Sequence, residues 1–322
     1  MLLRSLVASG AVLLLAGAAA GNTSDTLRGV AATYYANARQ IATLTGRDTA
    51  MDYYQRLLDD ADQGLTGAAV ALDLSLATQL LHRSFTPMAE IRGLGETFAR
   101  SSMDGTMQPV AIYVPRDYSP ARPVPLVVFL HGRLQAESHL IAPDFIEDLA
   151  ERTNTIVVAP YGRGYYDFRG SESDVYDALD AAVKAFDVDP HRRYLAGYSM
   201  GGFSLFRIAP MHPADWSAVM SIAGSLLASR AAGVVGTLQH ARCYVLTGAR
   251  DSIVPTAYPT ATAIFLRDAG LAVTFYSDPD GTHSLYSLRS ILSSAWTDME
   301  RGVVRLPVGL SGAADLPSAA GN

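Results

Sequence analysis

Hydrophobic and polar positions change their period near Phe98. Before it, from about Thr26 to Phe85, alanine and leucine are dense and β-branched runs are absent, a helical signature. Tyr53, Leu57 and Leu58 fall on one helical face, and Leu72, Leu74, Leu76, Leu80 and Leu81 supply a second apolar patch. Breaks fall at Gly46-Arg47-Asp48 and at Gly64-Leu65-Thr66-Gly67. The pattern predicts two to four helices within residues 21–100, packed on the rest of the chain; a lid, an interaction surface and simple scaffolding are all open as their role, with scaffolding the default.

After Phe98 the pattern is that of strands and helices in alternation. Val110, Ile112 and Val114 alternate with Ala111 and Tyr113, which predicts a strand with one covered face. Leu126–Leu130 and Thr155–Ala159 are continuous apolar runs of the kind buried on both faces of a sheet. A helix from about Ser173 to Phe186 shows Val175, Leu179, Ala182, Val183 and Phe186 on one side, and Ser171-x-x-Asp174 is expected to cap its start. Further strands are predicted at Arg193–Ala196, Ala218–Ile222, Cys243–Thr247 and Val273–Tyr276, with helices near 261–269 and 285–301. Alternation of this kind gives an α/β fold, a mostly parallel central sheet with helices on both faces, over residues 101–306. The Gly/Ala/Pro/Ser-rich residues 307–322 are expected to lack fixed structure.

The tightest turn in this scheme is Gly197-Tyr198-Ser199-Met200-Gly201, between a predicted strand and a predicted helix. A serine on such a strand-to-helix elbow has its Oγ pushed into the open near the positive helix N-terminus. Glycines are needed on either side because backbone segments meet there. An activated serine needs a base, and the base needs an orienting acid. In a parallel α/β sheet such groups come from loops at the carboxyl ends of strands. The loop after the Cys243–Thr247 strand offers Asp251, and the loop after the Val273–Tyr276 strand offers His283, the only one of seven histidines beyond Asp251. Asp278-Pro279 and Asp280-Gly281 read as ordinary turn chemistry. His191 lies at the amino end of the elbow strand, facing away, and His82, His212 and His240 read as surface or helix residues.

Oxyanion donors are expected from the backbone N–H of Met200, after the nucleophile, and from Arg133 in His131-Gly132-Arg133, with Gly132 the next choice. His131 is expected to be a structural residue of that turn. The aromatics Tyr161, Tyr165, Tyr166 and Phe168, after another strand end, either line an acyl or aromatic-group pocket or pack under the following helix. Tyr198, inside the elbow, is a further pocket candidate.

Composition narrows the class. At 49% hydrophobic and 17% charged over 322 residues, the chain is globular with a substantial core. A net charge of −6 without a long basic run gives no support for a nucleic-acid or anionic-membrane partner. The single Cys243, within Cys243-Tyr244-Val245-Leu246, is expected to be a buried strand residue, and no Cys/His cluster has zinc spacing. Residues 1–20 differ in kind: Arg4, the apolar run Leu6–Leu15 and Ala18-Ala19-Ala20 have the pattern of a secretory signal peptide. A secreted or periplasmic location is therefore expected, with no membrane span once the leader is removed.

Val128-Phe129-Leu130-His131-Gly132, Asp189-Pro190-His191-Arg192-Arg193-Tyr194-Leu195-Ala196-Gly197-Tyr198-Ser199-Met200-Gly201-Gly202, Gly248-x-x-Asp251 and Gly281-x-His283 together resemble the putative-esterase group of α/β-hydrolases. That group includes feruloyl esterases, polyhydroxybutyrate depolymerases and catalytic domains akin to prolyl oligopeptidases, which Gly170–Val175 also resembles. The resemblance spans about residues 105–300 and implies an α/β-hydrolase fold. It implies hydrolysis of a small-molecule or polymer-borne carboxylic ester through an acyl-enzyme, without metal or organic cofactor. A small peptidase of the prolyl oligopeptidase type or an acyltransferase would use the same residues. The peptidases, however, usually carry a β-propeller where this chain is helical. From a different class, a non-catalytic binding protein on a hydrolase scaffold is the alternative. Oligomeric state is not legible in the sequence.

Overall fold

The computed structural model describes residues 20–164, 167–305, 310 and 314–318. The expected leader lies outside the described residues but for Ala20, as do Tyr165 and Tyr166.

Four helices come first: α1 (Ala20–Ala36), α2 (Ala38–Thr45), α3 (Arg47–Asp62) and α4 (Ala68–His82). Gly46 and Gly67, both with positive φ, mark the two breaks. The rest alternates as β1 (Gly93–Arg100), β2 (Met107–Val114), β3 (Val124–Leu130), α5 (Glu137–Ile141), α6 (Asp144–Thr153), β4 (Ile156–Pro160), α7 (Glu172–Ala185), β5 (Val188–Tyr198), α8 (Met200–Ile208), β6 (Ala218–Ile222), α9 (Ala231–Thr237), β7 (Arg242–Gly248), α10 (Ala257–Asp268), β8 (Ala272–Asp278) and α11 (Arg289–Glu300). The strands form one eight-stranded sheet in the order β1-β2-β4-β3-β5-β6-β7-β8. β2 runs antiparallel to β1 and to β4, and the remaining pairs are parallel. β1 lies within the stretch expected to be helical.

Strand alternation sorts the core into two layers. Val110, Ile112, Leu126, Val128 and Leu195 pack with α7, α8 and α10. Ala111, Tyr113, Val127 and Phe129 pack with α5, α6 and α11 on the other face. β2, expected to keep one wet face, is therefore covered on both. Cys243 is buried in β7 as expected, and burial pushes its thiol up to about 12, so it is inert.

A third core joins the N-terminal helices to the sheet: Leu27, Tyr34, Ile41, Tyr53, Leu57 and Leu76 pack with Phe98 of β1 and with Tyr161 beyond β4. Beside it lies a buried charge network. Arg56 of α3, 3% exposed, donates to Asp73 of α4 at 2.9 Å and to Glu137 of α5 at 3.1 Å. Its guanidinium lies 4.0 Å from the centre of the Tyr53 ring, whose hydroxyl donates to Glu137. Burial alone would raise the Glu137 carboxyl, but the Arg56 charge and hydrogen bond outweigh it and hold it at about 2.

Two local expectations are corrected. Ser171 stands at the N-cap of α7, but its hydroxyl donates to the carbonyls of Gly162 (2.8 Å) and Phe168 (3.1 Å) and so secures the preceding loop instead of capping the helix. Parts of the C-terminal tail have fixed places. Leu310 and Leu316 pack against the core, and the Pro317 carbonyl accepts a 3.0 Å bond from Ala228 N, because these apolar residues gain more by docking than by hydration.

Glu300, at the end of α11, accepts a 2.8 Å hydrogen bond from Thr155. Burial pushes its carboxyl up to about 7, against the Thr155 bond and the charges of Arg192 and Arg242. A folded-state pKa above the unfolded value means that the native state holds the extra proton, so this group's contribution is fully present below pH ~4.3 and is lost as pH rises through about 7. Glu300→Gln is expected to flatten this loss: in urea titrations at pH 5 and pH 8, the variant gains on wild type at the higher pH.

Candidate active site

The site forms where β5 turns into α8. Ser199 sits between them with φ 51° and ψ −114°, a conformation that costs an L-residue about 1–3 kcal/mol and persists only when its surroundings enforce it. They do so through backbone contacts. A Cβ on Gly197 would lie 2.2 Å from the Gly201 carbonyl oxygen, and one on Gly201 would lie 2.4 Å from that of Leu130. Ser199 N donates to Ile222 O at 2.8 Å, and Gly201 N donates to His131 O at 3.1 Å, which fixes the elbow between β6 and the turn after β3.

Asp251 and His283 arrive from the ends of β7 and β8. Their loops are stacked: a Cβ on Gly248 would lie 2.3 Å from the Gly281 carbonyl oxygen, and Arg250 N donates to that oxygen at 2.9 Å. Asp251 has a fully buried side chain. Its Oδ1 accepts from the amides of Ile253 (2.9 Å) and Val254 (2.8 Å), which aims Oδ2 at His283. His283 Nδ1 lies 2.8 Å from that Oδ2, and His283 Nε2 lies 2.8 Å from Ser199 Oγ. A carboxylate only accepts, so Nδ1 carries the proton and donates to Asp251, leaving Nε2 to accept from the serine hydroxyl. The imidazole edge remains 20% exposed while the acid behind it is sealed. Residues separated by 84 and 32 positions thus form one hydrogen-bonded chain. Asp278 and Asp280 stay outside it: Asp278 closes a turn onto Asp280 N, and Asp280 pairs with Arg250 at the surface.

Met200 N opens α8, so it has no intrahelical acceptor. Across from it, Gly132 N donates to Gln135 Oε1 at 3.1 Å, which commits that amide and favours Arg133 as the second donor. His131 is buried in the turn, with its ring nitrogens 2.9 Å from the Gly132 and Tyr161 carbonyls and its ring 4.9 Å from Phe168. Burial lowers its pKa, against the two carbonyl contacts, which raise it.

The aromatic candidates divide. Tyr161 and Phe168 are fully buried and line no open pocket. Tyr161 packs against Tyr53 and donates to Asp52 at 2.5 Å, and Phe168 joins the core under α7. Tyr198 does reach the site, with its hydroxyl donating to the His283 carbonyl at 2.5 Å and its ring 5.4 Å from the imidazole. Tyr198→Phe deletes about 1 kcal/mol of positioning and is expected to lower kcat roughly fivefold with little change in KM, read from initial rates. Gln135 was not foreseen, since no local pattern marks a side chain that returns to an amide three residues earlier. The apolar loop residues beside the motifs, Leu134, Ile253 and Tyr286, were also passed over.

A mostly parallel eight-stranded sheet with helices on both faces, with serine, aspartate and histidine in that chain order at its carboxyl edge, has the α/β-hydrolase fold. Residues 101–245 match the family model described as "Putative esterase". A bifunctional acetylxylan esterase/xylanase of Neocallimastix patriciarum is 30% identical over 103 residues, which are 30% of this chain and 15% of that protein. The chain thus matches only a small part of that relative's length. Among solved structures, a thermostable esterase has a TM-score of 0.52 at 19% identity, covering 66% of this chain and 63% of that one. An S-formylglutathione hydrolase from Agrobacterium tumefaciens has a TM-score of 0.53 at 16% identity, covering 66% and 95%. At these identities the structural likeness is one of fold.

Proposed function

We propose that this protein hydrolyses carboxylic esters through an acyl-enzyme on Ser199. The hydrogen-bonded chain Ser199–His283–Asp251 carries the reading. Ser199 Oγ attacks the ester carbonyl as its proton passes to His283 Nε2, and Asp251 stabilises the imidazolium. The amides of Met200 and Arg133 hold the oxyanion. The C–O bond to the alcohol then breaks, and the alcohol leaves with the proton from Nε2. Water, deprotonated by the same nitrogen, attacks the acyl carbonyl, and the acid departs as Ser199 recovers its proton.

The rim indicates the substrate. Leu134, Ile253 and Tyr286 are 69%, 57% and 63% exposed, one on each of the loops that hold Arg133, Asp251 and His283. Large apolar side chains exposed on the loops that carry the site residues favour an ester with an apolar or aromatic acyl or alcohol group. The pattern of residues 1–20 supports action outside the cytoplasm. A p-nitrophenyl ester series from acetate to palmitate tests the reading. Hydrolysis that is absent in Ser199→Ala is expected, and Leu134→Asp or Ile253→Asp should raise KM for the longer esters more than for acetate. A folded protein inactive on every ester would reject the proposal.

A further inference from the structure

Outside the Ser199 site, α3, α4 and α5 bring Asp60, Asp73 and His139 together. One ligand atom from each lies within 4.8 Å of the other two, and His139 Nε2 is 3.9 Å from Asp60 Oδ1. The two carboxylates are almost wholly buried, 2% and 0% exposed. Among the described residues, Asp60 Oδ2 and Asp73 Oδ2, like Glu96 Oε2 nearby, are buried oxygens without a hydrogen-bond partner. Buried acceptors are normally satisfied, so this pair calls for a partner.

Arg56 does not supply enough charge. It bonds the other oxygen of Asp73 at 2.9 Å, but the same guanidinium serves both oxygens of Glu137, at 3.1 and 3.3 Å. Asp60, Asp73, Glu96 and Glu137 are all buried in this region against one buried arginine. Formal charge there is negative: Glu96 lies beside Glu137, while Asp60 and Asp73 face His139. His139 closes that side and is 31% exposed, which gives an ion a path from solvent. Its Nδ1 faces Ser138 Oγ at 3.4 Å, a contact that would orient Nε2 as the ligand atom.

We propose that Asp60, Asp73 and His139 bind one divalent transition-metal cation that fastens the N-terminal helices to the hydrolase body. Two carboxylate oxygens and an imidazole nitrogen match zinc or manganese, whereas calcium and magnesium take oxygen. Ligand bonds of ~2.0–2.2 Å require the three atoms to close in only slightly from their present spread, and water on the His139 side completes the coordination. The bridge joins α3 and α4 to α5, the helix that follows the His131-Gly132-Arg133 turn, so the cation secures the segment next to the oxyanion donor without entering the chemistry.

The test uses the full mature chain, stripped with chelator and titrated with Zn²⁺ by calorimetry and native mass spectrometry, with Co²⁺ absorption as the coordination readout. One equivalent per chain is expected, with a thermal midpoint raised by several degrees and visible Co²⁺ bands of low-coordinate type. His139→Gln, at a partly exposed position that tolerates an amide, is expected to weaken binding at least tenfold, as is Asp60→Asn. His191→Gln, an exposed position near the amino end of β5, should leave the stoichiometry unchanged. No stoichiometric binding to the folded wild type, binding undiminished in His139→Gln, or a site that takes Ca²⁺ but not Zn²⁺ would each overturn the proposal.

Discussion

Ser199→Ala is expected to lower kcat for ester hydrolysis on the order of 10⁴–10⁶-fold while leaving the fold intact. The size follows from the arrangement: without Oγ no acyl-enzyme forms, and the oxyanion donors act only on a bond that Oγ has begun to form. The same position should separate activity from stability. Its φ of 51° strains alanine as much as serine, whereas glycine adopts it freely. Ser199→Gly is therefore expected to be as inactive as Ser199→Ala yet more stable by about 1 kcal/mol, after allowing for glycine's greater chain entropy when unfolded. Guanidinium titrations of the two variants measure this difference. Equal midpoints would mean that the elbow is relaxed.

The largest stability effect is expected far from the nucleophile. Arg56→Leu removes the guanidinium paired with Asp73 and Glu137 and leaves both carboxylates in the interior, at a cost of about 3–5 kcal/mol. Because Arg56, Asp73 and Glu137 come from α3, α4 and α5, the loss should loosen the helical region from the sheet as well as lower the midpoint. Adding Glu137→Gln to Arg56→Leu is expected to recover part of the loss, since the second change removes a charge that the first left unpaired. Urea unfolding of the wild type, both single variants and the double variant gives the coupling. Additive losses would show that the pairing contributes nothing.

Much of this architecture was legible because its signals are local. Continuous apolar runs such as Leu126–Leu130 mark strands covered on both faces, and the elbow glycines mark a turn where backbones touch. Asp251 and His283 were legible because each sits just beyond such a strand. β1 was not, since Gly93, Gly95 and a buried Glu96 break the alternation that identifies a strand. Ser171 has the spacing of a helix cap, but two carbonyls of its own loop compete for its hydroxyl. Tyr161 and Phe168 lie in a strand-end loop like pocket residues, and only the positions of the N-terminal helices and α7 make them core. The charged residues of α3 and α4 were the least readable. Arg56, Asp60 and Asp73 have the pattern of a solvated helix face until Glu137 and His139, about 65–80 positions later, are placed over them.

The most direct test of the central claim is the intact mass of the protein after reaction with a fluorophosphonate, with the adduct located by peptide mapping. A single stoichiometric adduct on Ser199, absent from Ser199→Ala and strongly slowed in His283→Ala, is the predicted result. A folded wild type that takes no label, or takes it at a residue other than Ser199, would contradict the assignment.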